Sequence, residues 1–254
     1  KALQTGKHVF VEKPMADTSL KCMQLIEESE KRNLVLFVDH TFPYTESVNK
    51  IKYLITNNIL GEIYYFDSTR VNLGLFDFDS SVIWDLAIHD LSIVEYLFDT
   101  KPISVSGVGK ANIDGQPINI ASISLNFNNN LYVHINVNWL SPVKIRKILI
   151  SGDKKMLVYD DIEPTEKIKI YDKGIDVYDD ITINKIKYGY RSGDVNAPYL
   201  KQEEPLSKVV ENFADVINGI SDPLLSRYQA MNIIKILEAA ALSIRHGGKP
   251  ESLI

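Results

Sequence analysis

The chain has 254 residues, of which 45% are hydrophobic and 24% charged, and it carries a net charge of −5. This length and composition allow a sizeable hydrophobic core in one or two domains. The negative charge argues against a surface for nucleic acid or anionic lipid. The single Cys22 excludes an internal disulfide and a thiolate metal cluster. Without an apolar run of 18 residues or a signal peptide, the sequence predicts a cytoplasmic protein with no membrane span.

Residues 1–40 predict the last part of a doubly wound α/β domain. "HVFVEKP" is typical of a short buried strand that ends at Pro14, and "LVLFVDH" of a second buried strand. A helix runs between them to about Arg32, and this order of elements forms a parallel crossover unit. Its predicted inward side chains are Leu20, Met23 and Ile26. The chain begins without Met in what resembles the end of a helix, so we expect it to lack the N-terminal part of this domain.

Residues 41–254 predict an α/β domain with a large, open, mostly antiparallel sheet, which we expect to bind substrate and to form oligomer contacts. "YTESVNKIKYLI" predicts a helix and "EIYYFDSTRVNL" a long strand, followed by the polar loop "GLFDFDSS". "INIASISLNF" and "LYVHINVNWL" flank residues 128–130 and predict a hairpin. Later turns are expected at Gly152 and near Gly174. The last two helices are predicted at about residues 204–218 and 227–246, where they can pack back on the first domain.

Alternation in "LYVHINVNWL" gives that strand one apolar and one polar face. The apolar face carries Leu131, Val133, Ile135, Val137 and Trp139. A few helices are not expected to cover this face completely. We expect its exposed remainder to pair subunits in a homodimer or homotetramer.

The segment "WDLAIHDLSI" predicts a mostly apolar helix that nevertheless carries Asp85 and His89. Residues four apart share one helical face. A carboxylate one turn from an imidazole can hold the ring N–H, fix its tautomer and raise its basicity. The alternative is a surface ion pair or a helix-packing hydrogen bond, because this spacing is common by chance.

The tripeptide "EKP" places Lys13 at the carboxyl end of a predicted parallel strand, where open α/β sheets bind ligands. A lysine there can hydrogen-bond a substrate hydroxyl and ease its deprotonation, or act as a base itself. The alternative is a solvated Glu-Lys pair at the end of a strand.

Four stretches together, "GKHVFVEKP", "VDHTFPY", "LGEIYYFDSTRVNLG" and "WDLAIHDLSI", resemble the Gfo/Idh/MocA oxidoreductases, and the resemblance extends over essentially the whole chain. It implies a dehydrogenase of sugars or polyols that uses NAD or NADP and that has a Rossmann domain and an α/β C-terminal domain. Of the two cofactors we expect NAD. It also implies that His89, oriented by Asp85, takes the hydroxyl proton while Lys13 polarises that oxygen. The expected cofactor contacts are Glu12, Lys13, Pro14 and His40. No set of histidines and carboxylates has a spacing that predicts a metal site.

The glycine-rich dinucleotide fingerprint of the family has no counterpart in this sequence. Gly107 and Gly109 form a G-x-G without a third glycine or a following helix, so they do not match it.

"RVNLG", "NWLSPVKIRKILISGD" and "YDDIEPTEKIKIYDKG" resemble the family branch that oxidises a UDP-linked N-acetyl sugar or its uronate for surface polysaccharides. A diphosphate needs arginine or helix N-termini, and the chain has only six arginines against twenty-two lysines. The expected substrate contacts are Tyr44, Arg70, Asn72, Arg146 and Arg191. For the arginines a structural ion pair is the alternative.

Three other functions stay open. One is a dehydrogenase of a free sugar or an inositol-like polyol. Another is a redox-neutral glycosidase that uses NAD transiently. The last is a non-catalytic fragment that binds sugar or oligomerises.

Overall fold

Two short parallel strands near the start of the chain form the first sheet. In this computed structural model, which describes residues 1–74, 80–180 and 185–254, β1 (Val9–Glu12) pairs in parallel with β2 (Leu36–Asp39). The helix α1 (Ser19–Lys31) connects them, and its N-cap Thr18 accepts a hydrogen bond from the backbone N–H of Lys21. The predicted strand-helix-strand unit is confirmed. β2 is buried as expected, whereas β1 is half-buried and its last residue is exposed, so its predicted burial is wrong.

One predicted inward residue of α1 is wrong. Cys22 and Ile26 are fully buried, whereas Leu20 is 69% exposed. Successive residues of a helix are rotated by about 100°, so Leu20 lies on nearly the opposite side from Cys22. The buried side faces α5 (Arg227–Arg245), where Glu238 accepts a hydrogen bond from the backbone N–H of Ser19.

The second sheet has nine strands in the order β10-β9-β8-β7-β3-β6-β5-β4-β11. Only β3 and β6 are parallel neighbours among these described strands, which confirms a large, mostly antiparallel sheet. Its strands are β3 (Ile63–Leu73), β4 (Ser104–Lys110), β5 (Ile120–Asn126), β6 (Tyr132–Asn138), β7 (Leu140–Gly152), β8 (Met156–Asp160), β9 (Ile168–Asp180), β10 (Lys185–Asn196) and β11 (Glu251–Ser252).

The apolar face of β6 lies in the hydrophobic core. Val133, Ile135 and Val137 are fully buried and Trp139 is 1% exposed. We expected part of this apolar face to be exposed, and at these positions that expectation is wrong, because helices cover them. Any subunit contact through the sheet would have to use other side chains.

The other α-helices of the described residues are α2 (Glu46–Thr56), α3 (Ile88–Leu97), α4 (Pro205–Ile217) and α5. Both final helices begin and end within one residue of their predicted limits. α5 packs on α1, on α3 and on β4, and Arg227 forms an ion pair with Glu30 of α1. One core cluster contains buried residues of both sheets, so a boundary at residue 40 stays a prediction. None of the helices in the described part of the chain is long and apolar enough to cross a bilayer.

The turn predicted near Gly174 is wrong. β9 continues through Gly174, which pairs with Arg191 on β10. A Cβ at Gly174 would lie 2.5 Å from the Arg191 guanidinium, so this glycine permits a close approach and does not form a turn. Arg191 is thus on a strand and not in the expected loop. The loop predicted at "GLFDFDSS" falls largely on residues 75–79, outside the described residues.

Candidate active site

Lys13 and Asp85 meet although they are far apart in sequence. Lys13 follows the last residue of β1, and its peptide bond to Pro14 is cis. Its Nζ lies 3.5 Å from the Asp85 carboxylate and donates a hydrogen bond of 3.2 Å to the Asp85 backbone carbonyl. The Lys13 side chain is 22% exposed and that of Asp85 44% exposed. Both groups are therefore accessible to a ligand while they hold each other.

Asp85 does not sit on a regular α-helix. It belongs to a π-helical turn, Ile83–Ala87, directly before α3. The other carboxylate oxygen of Asp85 accepts a hydrogen bond of 3.2 Å from the indole N–H of Trp139. A π turn is wider than an α turn and changes the direction of its side chains. The described residues show no hydrogen bond or ion pair between Asp85 and His89, so the expected orientation of His89 by Asp85 finds no support in these contacts.

His89 lies at the start of α3, half-buried against the ring of Phe42, with ring centroids 5.2 Å apart. Burial lowers the pKa of His89 well below 6.5, and the positive charges of Arg70 and Lys13 lower it further. The imidazole is consequently neutral at pH 7. A neutral imidazole can accept a proton.

His40 follows β2 and is only 2% exposed. Its Nδ1 is buried without a hydrogen-bond partner among the described residues. Burial, with a contribution from Lys13, lowers the pKa of His40 to about 4. A buried polar nitrogen without a partner is uncommon, and a bound ligand is one way to satisfy it.

Arg70 points into the protein and not into open solvent. It is 3% exposed, and its Nε donates a 2.9 Å hydrogen bond to Asp90, the residue after His89. Its Nη2 donates to the second carboxylate oxygen at 3.0 Å. This is a buried bidentate ion pair, which favours the structural alternative over a substrate contact. The third nitrogen, Nη1, is buried without a hydrogen-bond partner among the described residues.

The other expected contacts are spread over the molecule. Glu12 and Pro14 are exposed at the end of β1, and Asn72 is half-buried near the end of β3. Tyr44 is buried and donates a 2.7 Å hydrogen bond to Asn212 of α4. Arg146 of β7 donates to Asp161 at 3.4 Å. Arg191 is on the edge strand β10 and donates to Asp172 at 3.0 Å.

The fold therefore brings together Lys13, His40, Asp85 and His89, whereas Tyr44 and Arg191 have contacts elsewhere. Two further residues contact this group, Phe42 and Trp139, and the sequence did not predict either of them as a site residue. A tryptophan at the end of a buried strand needs a partner for its indole N–H, and this was the available signal for Trp139. No group of three potential metal ligands occurs in the described ranges.

Comparisons with known proteins agree with this architecture. Residues 1–40 match the oxidoreductase family model for an NAD-binding Rossmann fold. Residues 48–158 match the GFO/IDH/MocA C-terminal domain model. The two models belong to one family and match adjacent parts of the chain in the order of the two predicted domains.

Curated relatives include dehydrogenases with different substrates. The UDP-N-acetylglucosamine 3-dehydrogenase of Acidithiobacillus ferrooxidans is 25% identical over 219 residues, which cover 85% of this chain and 64% of that protein. The inositol 2-dehydrogenase/D-chiro-inositol 3-dehydrogenase of Halalkalibacterium halodurans is 31% identical over 108 residues, which cover 41% of this chain and 31% of that protein. The chain spans about a third of the length of the first curated relatives that it matches (32%, 29% and 31%).

Solved structures show the same fold. An NAD-binding protein from Listeria innocua superposes with a TM-score of 0.79 at 18% identity, covering 99% of this chain and 76% of that one. The UDP-N-acetylglucosamine 3-dehydrogenase of Acidithiobacillus ferrooxidans superposes with a TM-score of 0.77 at 20% identity, covering 96% and 73%. Because two models of one family match residues 1–40 and 48–158, the chain belongs to the Gfo/Idh/MocA family of oxidoreductases.

Proposed function

We propose that this protein is an NAD(P)-dependent dehydrogenase that oxidises a hydroxyl of a sugar, most specifically of a nucleotide-linked sugar such as a UDP-N-acetyl sugar or its uronate. The observation that carries the proposal is the lysine-carboxylate pair of Lys13 and Asp85 beside the neutral imidazole of His89. A cation and a neutral base in one place are what the removal of a hydroxyl proton requires.

His89 accepts the proton of the substrate hydroxyl. Lys13 donates a hydrogen bond to the same oxygen and stabilises the negative charge that develops there. Asp85 fixes the Lys13 ammonium through its carboxylate and its backbone carbonyl. Since the Trp139 indole holds the second carboxylate oxygen, Asp85 is itself held in place.

The residues at the ends of β1 and β2 fit the nicotinamide end of a dinucleotide. This edge of a parallel α/β sheet is a usual ligand-binding position. Glu12 and Lys13 lie there, and the unpartnered Nδ1 of His40 is close by. The nicotinamide, when bound, supplies the hydride acceptor. Of the two cofactors we favour NAD.

The relatives support a sugar or polyol substrate but differ in which one. The relative that covers 85% of this chain is named for a UDP-N-acetyl sugar, and another is named for inositol. The longer match favours the nucleotide sugar. A cytoplasmic location and a homodimer or homotetramer through the sheet are part of the same proposal. The residues of β6 that alternate with its buried ones are half-buried or exposed, and they would supply such a contact.

The test is the formation of NADH from NAD, or of NADPH from NADP, by the protein with UDP-N-acetylglucosamine, its uronate and inositol. His89→Ala is the variant, and His246→Ala is the matched control, since His246 is half-exposed and paired with Glu251. Turnover of a UDP-sugar that is lost only in His89→Ala supports the proposal. Turnover of inositol alone would move the substrate to the free polyols. Conversion that needs NAD without net NADH would favour the redox-neutral alternative.

A further inference from the structure

Arg70 and His89 lie on different elements but contact the same aromatic ring. The guanidinium carbon of Arg70 is 4.4 Å from the centroid of the Phe42 ring. The imidazole centroid of His89 is 5.2 Å from the same centroid, with an angle of 61° between the two rings. Phe42 therefore connects the arginine of β3 with the histidine of α3.

A second connection runs through the backbone of α3. Arg70 holds both carboxylate oxygens of Asp90, and Ser68 donates a 2.7 Å hydrogen bond to one of them. Asp90 directly follows His89 in the chain, so these three hydrogen bonds fix the turn of α3 that carries the imidazole. Asp90 is fully buried, so its carboxylate receives hydrogen bonds from these protein groups in place of water.

We propose that Arg70 is a positioning residue that acts through His89, and not a substrate contact. Its ion pair with Asp90 and its contact with Phe42 hold the imidazole in one place. Its positive charge disfavours a second positive charge on the ring. The inference rests on the proposed function only in giving His89 the role of base. Two of the three guanidinium nitrogens of Arg70 are bound to Asp90, which assigns the group to the protein interior. The third, Nη1, is buried without a hydrogen-bond partner among the described residues.

The charges around His89 support this role. The charged and titratable groups around it are Lys13, His40, Asp85, Arg70, Asp90 and Arg146. The two carboxylates in this set are already held by Lys13 and Arg70. After burial, Arg70 is the strongest influence that lowers the pKa of His89. A nearby cation disfavours a second positive charge, and this effect is strong where water is excluded.

The test is an NMR pH titration of the five histidines in the full chain, with His89 assigned from a His89→Gln sample. The variants are Arg70→Gln, Arg70→Lys and the pair Arg70→Gln with Asp90→Asn. The matched control is Arg227→Gln, which also removes an arginine that pairs with a carboxylate. We expect the midpoint of His89 to shift upward in Arg70→Gln and in the double variant. It should stay at the wild-type position in Arg70→Lys and in the control.

The double variant separates two causes. It removes the unpaired carboxylate that Arg70→Gln leaves beside the imidazole, and that carboxylate could raise the pKa by itself. A shift in the single variant that disappears in the double variant would overturn the role of the cation. An unshifted midpoint in a folded Arg70→Gln protein would also overturn the inference.

The wild-type chain provides a measurement that does not depend on whether any variant folds. If His89 titrates near 6.5 in the unaltered protein, the inference is wrong. A substrate contact would instead give an unshifted titration together with weaker binding of the UDP-sugar to Arg70→Gln. The titration needs neither substrate nor cofactor. It therefore tests the role of Arg70 even if the protein proves not to oxidise a sugar.

Discussion

The ammonium of Lys13 contacts two oxygens of one residue, the carboxylate of Asp85 at 3.5 Å and its backbone carbonyl at 3.2 Å. The two residues are 72 positions apart, so the contact joins the end of β1 to the turn before α3. An ammonium that is held on one side keeps its remaining N–H groups for a substrate oxygen. This contact links the two parts of the chain that the family models match separately.

Replacing Lys13 by Met should lower kcat by about 10²–10⁴-fold, because the group that polarises the substrate oxygen is lost. Methionine has an unbranched side chain of similar shape to that of lysine, so we expect the variant to fold. The measurement is the steady-state rate with the best UDP-sugar of the panel. Lys7→Met, at an exposed lysine before β1, is the control and should keep the wild-type rate. Equal rates in the two variants would remove Lys13 from the mechanism.

Asp85→Asn should separate activity from stability. The Asp85 side chain is 44% exposed, and ion pairs of this kind contribute at most about 1 kcal/mol to the free energy of unfolding. We therefore expect urea unfolding to change by less than about 1 kcal/mol, whereas kcat falls by about tenfold or more because Lys13 loses its anionic partner. Asp99→Asn, at an exposed aspartate paired with Lys52, should change neither quantity. A loss of stability without a loss of kcat would contradict this assignment.

Asp90→Ala should be strongly destabilising. The change leaves the buried guanidinium of Arg70 without its bidentate partner, and breaking a buried pair from one side costs about 3–5 kcal/mol. The free energy of unfolding in urea measures this cost. Asp17→Ala removes an exposed carboxylate paired with Lys21 and should cost no more than about 1 kcal/mol. Similar values for the two variants would mean that the buried pair of Arg70 and Asp90 does not stabilise the folded state more than an exposed pair does.

His40 should make the protein less stable in acid. Its folded pKa is lowered to about 4 from 6.5, so below pH 6.5 the unfolded chain binds a proton that the folded chain does not. Stability is therefore lost as the pH falls from 6.5 to about 4, and at pH 5 the loss from this group is about 2 kcal/mol. His40→Gln should reduce the difference in unfolding free energy between pH 7 and pH 5 by about this amount.

The comparison with wild type removes the contributions of other groups. Glu95, for example, has its pKa raised to about 7 by burial and acts in the opposite direction with pH in both proteins. If urea unfolding shows the same pH dependence in wild type and His40→Gln, His40 is accessible to protons in the folded state and the prediction fails.

The sequence by itself was sufficient for features that depend on local periodicity and local chemistry. The alternation of β6 identified its buried face, and Val133, Ile135 and Val137 are fully buried. The limits of α4 and α5 followed from helical periodicity and the glycines after them, since Gly219 and Gly247 have positive φ. "EKP" and "WDLAIHDLSI" indicated the family because they are short motifs that do not depend on distant contacts.

Only the tertiary structure decided which of these side chains meet. Helical periodicity cannot predict that Asp85 binds Lys13 and Trp139. These contacts depend on the π turn that carries Asp85 and on the packing of β6 beside that turn. Arg70 became an interior ion pair because α3 places Asp90 directly against β3. Gly174 allows a close arginine contact and not a turn, since β10 pairs beside it. Each of these contacts joins residues distant in sequence, and their geometry is set by how whole elements pack.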